Sequence, residues 1–230
     1  MARKFLHLLT PSRTVPQVPW RAAHPWSLSL QRLAILLPGL FVFGLGDSLL
    51  IQSKLGNAPW SVLAQGLSKH LPLTIGECTF LIGGIVLILW WPLKTKPGFG
   101  TLANIATISL AIQVGIWTFP SMAGNTWGGL GYIFIGIGLV GVGSSLYITC
   151  GLGPGPRDGL MTALHHLTGV RVGRIRLLIE IVALIIGWRL GGTLGIGTAL
   201  FALLIGNSVA ISFGVLDKWV NRSASPGNGN

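Results

Sequence analysis

Hydrophobic residues run along the chain in long blocks separated by short polar turns, at 33–51, 78–93, 99–119, 130–150, 177–190 and 195–216. Blocks of about 20 apolar residues match the length of helix that crosses a hydrocarbon core, so the pattern predicts six membrane-spanning helices. The second and fifth are short, and would have to recruit flanking residues such as Ile75 and Ile175 or sit in a thin region of bilayer. Two further stretches are amphipathic. In 59–71, Trp60, Leu63, Ala64, Leu67 and Leu71 recur at helical spacing while Ser61, Gln65, Ser68 and Lys69 take the other face. In 156–167, Leu160, Leu164 and Leu167 share one side, with Arg157, Asp158, Thr162, His165 and His166 elsewhere. Thirteen residues at 1.5 Å rise reach only about 20 Å, so each is expected to be a short amphipathic helix, interfacial or re-entrant, and not a span.

The same design returns, without a gap, 97 residues later. Gly44, Gly46, Ser48, Leu55, Gly56, Pro59, Leu63, Leu67, Gly76, Trp91, Gly98, Gly100 and Thr101 match Gly141, Gly143, Ser145, Leu152, Gly153, Pro156, Leu160, Leu164, Gly173, Trp188, Gly195, Gly197 and Thr198. Across positions 44 to 112 there are 21 identities in 69, where composition alone gives on the order of 6, so the pattern is that of a duplication. Each copy reads as helix, Leu-Gly-x-x-Pro turn, short helix, helix, Gly-x-Gly-Thr turn, helix. Three spans per copy is odd, so the second copy enters the membrane from the opposite side and the repeats are expected to be inverted.

Composition fits that picture. The 230 residues are 50% hydrophobic and 9% charged, with mean hydropathy +0.70, far from the roughly 25% charge of soluble domains. Six spans leave no room for a separate soluble domain. The net charge of +11 is read as retention of positive loops in the cytoplasm, not as a nucleic-acid surface. With the N-terminus inside, the tail, the Lys94/Lys96 loop, the 157–176 stretch and the C-terminal tail place 13 Lys or Arg in the cytoplasm, against Lys54, Lys69 and Arg189 outside. Both termini are therefore expected inside, with a basic tail at 1–32, repeats at 33–119 and 130–216, and a C-terminal tail at 217–230. The start of the chain, with Arg3, Lys4, Arg13, Arg21 and Arg32, has no apolar run long enough for a signal-peptide core and reads as a tail with interfacial tryptophans. Residues 223–230 read as disordered.

Candidate chemistry is sparse. Cys78 and Cys150 lie at or in apolar segments, without the spacing of a metal site or disulfide framework, and read as packing residues. His165 and His166 are adjacent, so on a helix they diverge by about 100° and cannot share a metal. No metal or cofactor is expected, and the lack of convergent His, Asp and Glu argues against an enzyme. The tryptophans Trp20, Trp26, Trp60, Trp90, Trp91, Trp117 and Trp127 gather near span ends, as in an aromatic belt. Two acids fall within spans, where charge is costly: Asp47, after Gly44 and Gly46, and Glu180, four residues after Arg176 and placed to pair with it. The Leu-Gly-x-x-Pro turns each open a short helix whose first amides lack partners. Gly56, Pro59, Gly153 and Pro156 have a sufficient structural explanation in that turn, and Gly98, Gly100, Gly195 and Gly197 in the second one, with Thr101 and Thr198 capping the last span of each copy. The functional reading places Asn57, Trp60, Arg157 and Asp158 at the mouths of a pathway, joined by Asp47 and Glu180.

The Gly-Leu-Gly-Asp-Ser end of the first span, Leu55 to Trp60, Ile75-Gly76 and Gly98-Phe99-Gly100-Thr101 resemble the YczE/YitT-like family of bacterial integral membrane proteins, its YczE branch above all. The resemblance spans about 33–219 and implies a multi-pass protein of the bacterial cytoplasmic membrane, in a family linked to secondary-metabolite production and with no catalytic residues to carry over. Asn57-Ala58-Pro59 differs in order from the Asn-Pro-Ala of aquaporin half-helices, and the second copy reads Pro154-Gly155-Pro156, so a water channel is not the reading. The expectation is a transporter-like protein for an unknown small organic solute, moving it between inverted repeats. The alternative is a non-transporting accessory protein that supports a biosynthetic or export complex. Beyond the lipid bilayer, the partner is a further copy of the chain or another membrane protein.

Overall fold

The structure is a computed structural model that describes residues 14–224, with side chains to 220. Among the described residues there are eight helices and no strand: α1 (Leu30–Ser53), α2 (Pro59–Leu67), α3 (Ile75–Ile88), α4 (Phe99–Thr118), α5 (Thr126–Cys150), α6 (Pro156–Thr168), α7 (Val172–Arg189) and α8 (Ile196–Ala224). Each block and each amphipathic stretch of the sequence has its helix. Four of them, α1, α4, α5 and the 196–220 part of α8, are long and apolar enough to cross a membrane. The other two expected spans differ in kind. The 14 residues of α3 cover about 21 Å, and α7 carries Arg174, Arg176, Glu180 and Arg189 within its 18 residues.

The centre is an antiparallel crossing of α1 and α5. A Cβ on Gly46 would lie 2.7 Å from the Gly136 carbonyl oxygen, and one on Gly143 would lie 2.5 Å from that of Gly39. Only glycine permits these backbones to approach so closely, the device by which helices pack tightly without a hydrophobic drive. α4 lies against α1 at Gly44, whose Cβ would fall 2.6 Å from that of Ala111, and α8 lies against α5 at Gly141, facing Ser208. Cys78 and Cys150 are fully buried packing residues, as expected.

The short helices are packed unequally. In α2, Ser61 and Gln65 of the polar face are buried alongside Val62 and Ala64, whereas His166, Leu167 and Thr168 at the end of α6 are exposed. α2 packs on α7, where a Cβ on Gly187 would fall 2.5 Å from Leu63 N. α6 approaches α3 much less closely. There the indole of Trp90 lies against the backbone of Gly159 and donates from Nε1 to the Pro156 carbonyl at 3.0 Å.

The described part of the N-terminal region is fastened to the body. Val18 and Trp20 are buried in the main apolar cluster with Leu36, Leu40, Tyr147 and Cys150. Ala22 N donates to Cys150 O, Phe99 N to Pro25 O, and Arg32 to the Trp20 and Ser27 carbonyls. The segment thus ties together the start of α1, the start of α4 and the end of α5. Arg3, Lys4 and Arg13 lie outside the described residues. At the other terminus α8 continues to Ala224, past the expected span end at 216, so Ser223 is helical; 225–230 lie outside the described residues.

Of the tryptophans, Trp91, Trp117 and Trp127 are exposed as an aromatic belt requires, whereas Trp20 and Trp90 are buried. Trp20 packs tilted against Trp219, with ring centroids 6.4 Å apart and ring planes 53° apart, and Trp90 spaces α6 from α3. The belt reading fails for these two because each finds an intramolecular partner for its large apolar face.

Candidate functional site

Both Leu-Gly-x-x-Pro turns are locked by the Gly-x-Gly-Thr turn of the opposite half. Gly100 N donates to Leu152 O at 2.8 Å, and Gly197 N donates to Leu55 O at 2.9 Å. Gly56 and Gly153 have φ of +120° and +116°, a region open in practice only to glycine. Each packs on the partner turn, Gly56 against Gly195 and Thr198, Gly153 against Gly98 and Thr101. Thr101 Oγ1 accepts from Gly98 N and donates to the Pro154 carbonyl, while Thr198 Oγ1 accepts from Gly195 N at 3.4 Å. Both threonines therefore cap as expected, from the third helical position back to the cap amide, and Thr101 also holds the opposite turn. Pro59 and Pro156 are the first residues of α2 and α6.

This anchoring brings the starts of α2 and α6 together. The Arg157 guanidinium lies over the Trp60 ring, 5.2 Å from its centroid, and has no hydrogen bond or ion pair to a described residue. Next to it Asp158, in the first turn of α6, accepts from the Tyr147 hydroxyl at 3.0 Å. A cavity of about 320 Å³ opens beside this pair. Its walls include Tyr147 and Ser144 of α5, Arg157, Asp158 and Met161 of α6, Arg176, Ile179 and Glu180 of α7, and Phe201, Ile205 and Gly206 of α8. A second, smaller cavity of about 30 Å³ shares Trp60, Asn104, Ile108, Pro156 and Arg157 with the first and is otherwise bounded by Thr79, Ile82 and Gly83 of α3 and Ser109 of α4.

Four of the six pathway candidates, Trp60, Arg157, Asp158 and Glu180, thus share one cavity wall. Glu180 also makes the expected pair with Arg176, at 3.0 Å. The other two lie behind it. Asp47 is buried and its Oδ2 accepts from Ser61 Oγ at 3.2 Å, while Oδ1 has no partner among the described residues. Asn57 is buried too. Its Nδ2 donates to Gln65 Oε1, which also accepts from Thr193 N, so Asn57 and Gln65 clasp the start of α2 to the loop before α8. Tyr147, Asn104, Phe201 and Gly206 were not candidates. The first two carry a signal, each being a polar side chain within an otherwise apolar span; Phe201 and Gly206 carry none.

Chemically the cavity offers one guanidinium with free donors, a hydroxyl–carboxylate pair, an ion pair and broad apolar walls, which suits binding. His165 and His166 lie away from it on α6, their rings 5.4 Å apart.

A family of unknown function, DUF6198, matches residues 30–213. An uncharacterized protein of Haemophilus influenzae is 38% identical over 208 residues, covering 90% of this chain and 94% of its own. The uncharacterized membrane protein YczE of Bacillus subtilis is 34% identical over 178 residues, 76% of this chain and 82% of its own, and the uncharacterized protein YyaS of that organism is 30% identical over 184 residues. No solved structure matches. The similarity to YczE is the one that the glycine-based turn motifs led us to expect, and, matched along most of its length by the family model and by three relatives, this helical chain belongs to the DUF6198 family.

Proposed function

We propose that the protein is a transporter-like membrane protein of two inverted three-helix repeats, which moves a small organic solute along a pathway between them. The bacterial cytoplasmic membrane, with both termini in the cytoplasm, is its proposed place. Support for the repeat comes from contacts that pair off across the 97-residue offset. Gly39 meets Gly143 as Gly136 meets Gly46; Gly44 meets Ala111 as Gly141 meets Ser208; Gly56 meets Gly195 as Gly153 meets Gly98. An antiparallel crossing whose equivalent residues exchange places is what a two-fold axis in the membrane plane requires.

One observation carries the functional reading. The two cavities have corresponding walls, since Thr79, Ile82, Gly83 and Ser109, which line the smaller alone, correspond by the offset to Arg176, Ile179, Glu180 and Gly206, which line the larger alone. Between them they share Trp60, Asn104, Ile108, Pro156 and Arg157, of which Trp60 and Arg157 are themselves equivalent positions. A site at the repeat interface, at the facing starts of two short helices, with one roomy cavity and a much smaller counterpart, fits a carrier whose two halves are unequally packed around it. The larger cavity lies within the size range of small-molecule sites. No covalent step on the solute is proposed.

The test uses single cysteines, Gly206→Cys and Ser109→Cys, in a Cys78→Ala, Cys150→Ala background, with a membrane-impermeant thiol reagent applied from each side. A carrier predicts that Gly206→Cys reacts from one side and Ser109→Cys from the other, more slowly. If Ser109→Cys is inert from both sides while Gly206→Cys reacts, the larger cavity is a blind pocket, and the accessory-protein reading replaces this one.

A further inference from the structure

We propose that the larger cavity takes an amphipathic molecule with an anionic head, held by Arg157, and an apolar chain that leaves through the gap between α7 and α8. The inference names the substrate class of the site read above, and rests on that reading of the cavity as a binding site.

The head group follows from which charges already have partners. Glu180 is paired with Arg176. Asp158 accepts from Tyr147 and sits in the first turn of α6, where the helix's own positive end stabilises it. Arg157 lies over the face of Trp60 and close enough to the buried Asp47 carboxylate to feel its charge, but has no hydrogen bond or ion pair to a described residue. Its planar fork of N–H donors is left for a ligand, and it suits a phosphate or carboxylate in two-pronged geometry. The start of α6, with amide groups lacking helical partners, adds to the preference for an anion at the same place.

The chain follows from the packing of the walls. α7 and α8 are consecutive, yet they do not pack along one another as their counterparts α3 and α4 do. Each lines the cavity, α7 through Ile179 and α8 through Phe201, Ile205 and Val209. The cavity is therefore flanked by two separated helices whose outward faces carry apolar side chains, with Leu178, Val182 and Leu203 exposed. A gap between two such faces would open toward the hydrocarbon of a bilayer rather than to water.

A phosphate with an acyl chain could reach the site from the bilayer, and a free phosphate from solution; the ligand series separates them. The protein, purified in dodecyl maltoside, is titrated calorimetrically with dihexanoyl phosphatidic acid, with glycerol 3-phosphate as the head alone and with dihexanoylglycerol as the chains alone. The expected result is saturable binding of phosphatidic acid at least tenfold tighter than either half. Arg157→Gln should weaken it at least tenfold. Gly206→Leu should do the same by filling the apolar part, and it guards against misfolding, because a Cβ there meets nothing within 4 Å. Glycerol 3-phosphate binding as tightly as phosphatidic acid would overturn the chain assignment. Dihexanoylglycerol binding as tightly, unaffected by Arg157→Gln, would overturn the head, and no binding at all would overturn both. Labelling of Ser109→Cys and Gly206→Cys needs no ligand, so it separates a wrong substrate class from a wrong pathway.

Discussion

Gly56 and Gly153 are where a single added carbon should do the most damage. Their φ values exclude other residues, and a Cβ on Gly56 would lie 2.7 Å from Gly195 N. Gly56→Ala and Gly153→Ala are each expected to cost about 2–4 kcal/mol, combining backbone strain with a clash against main chain; thermal unfolding in detergent measures it. An equivalent loss is not expected at Gly206 or Gly138, which face open space. Tyr147→Phe removes the donor to Asp158 and should cost about 1–3 kcal/mol; unchanged stability would mean that the hydroxyl does not hold the carboxylate. At this scale the turn glycines were legible in the sequence, because their spacing and repetition identify a turn that needs glycine. The fates of Asp47 and Asn57 were not legible. Which buried polar group clasps a neighbour and which faces a cavity depends on partners such as Ser61 and Gln65, whose approach only the tertiary packing determines.

The two short helices are equivalent in sequence pattern and unequal in packing, and one position accounts for the difference. Gly187 lets α2 settle backbone to backbone on α7, while its counterpart Trp90 interposes an indole between α6 and α3. α6 is thereby held off α3. Gly187→Ala should push α2 from its seat and destabilise the fold by about 1–3 kcal/mol. Trp90→Phe should shrink the spacer and remove the bond to the Pro156 carbonyl, destabilising the fold by about 1–3 kcal/mol; unaltered thermal unfolding would mean that Trp90 does not seat α6. Helical periodicity located both helices. It could not show that the polar face of α2 is buried, because Ser61 and Gln65 read the same whether they meet water or Asp47 and Asn57.

For the whole molecule, hydropathy identified a helical membrane protein, and the 97-residue offset is the basis of the proposed repeat. The offset also carries information that a list of spans does not: it says which contacts must occur in pairs, and the glycine contacts between α1 and α5 do. Less legible was the inequality of the copies, with α3 packed on α4 but α7 apart from α8. That difference is spread over many apolar side chains, each of which reads simply as hydrophobic. The basic N-terminal region was likewise read as a tail, although burial of Val18 and Trp20 fastens its described part to the ends of α1, α4 and α5.

The proposed inversion of the repeats underlies the proposed pathway, the pairing of the cavities and the proposed entry route. Lys69 and His166, equivalent by the offset and both exposed near the ends of the short helices, test it most directly. Lys69→Cys and His166→Cys are introduced singly without the native cysteines, and an impermeant thiol reagent is applied to intact cells and to inside-out vesicles. Inverted repeats predict that Lys69→Cys reacts from outside the cell and His166→Cys only in the vesicles. Reaction of both from the same side would contradict the account.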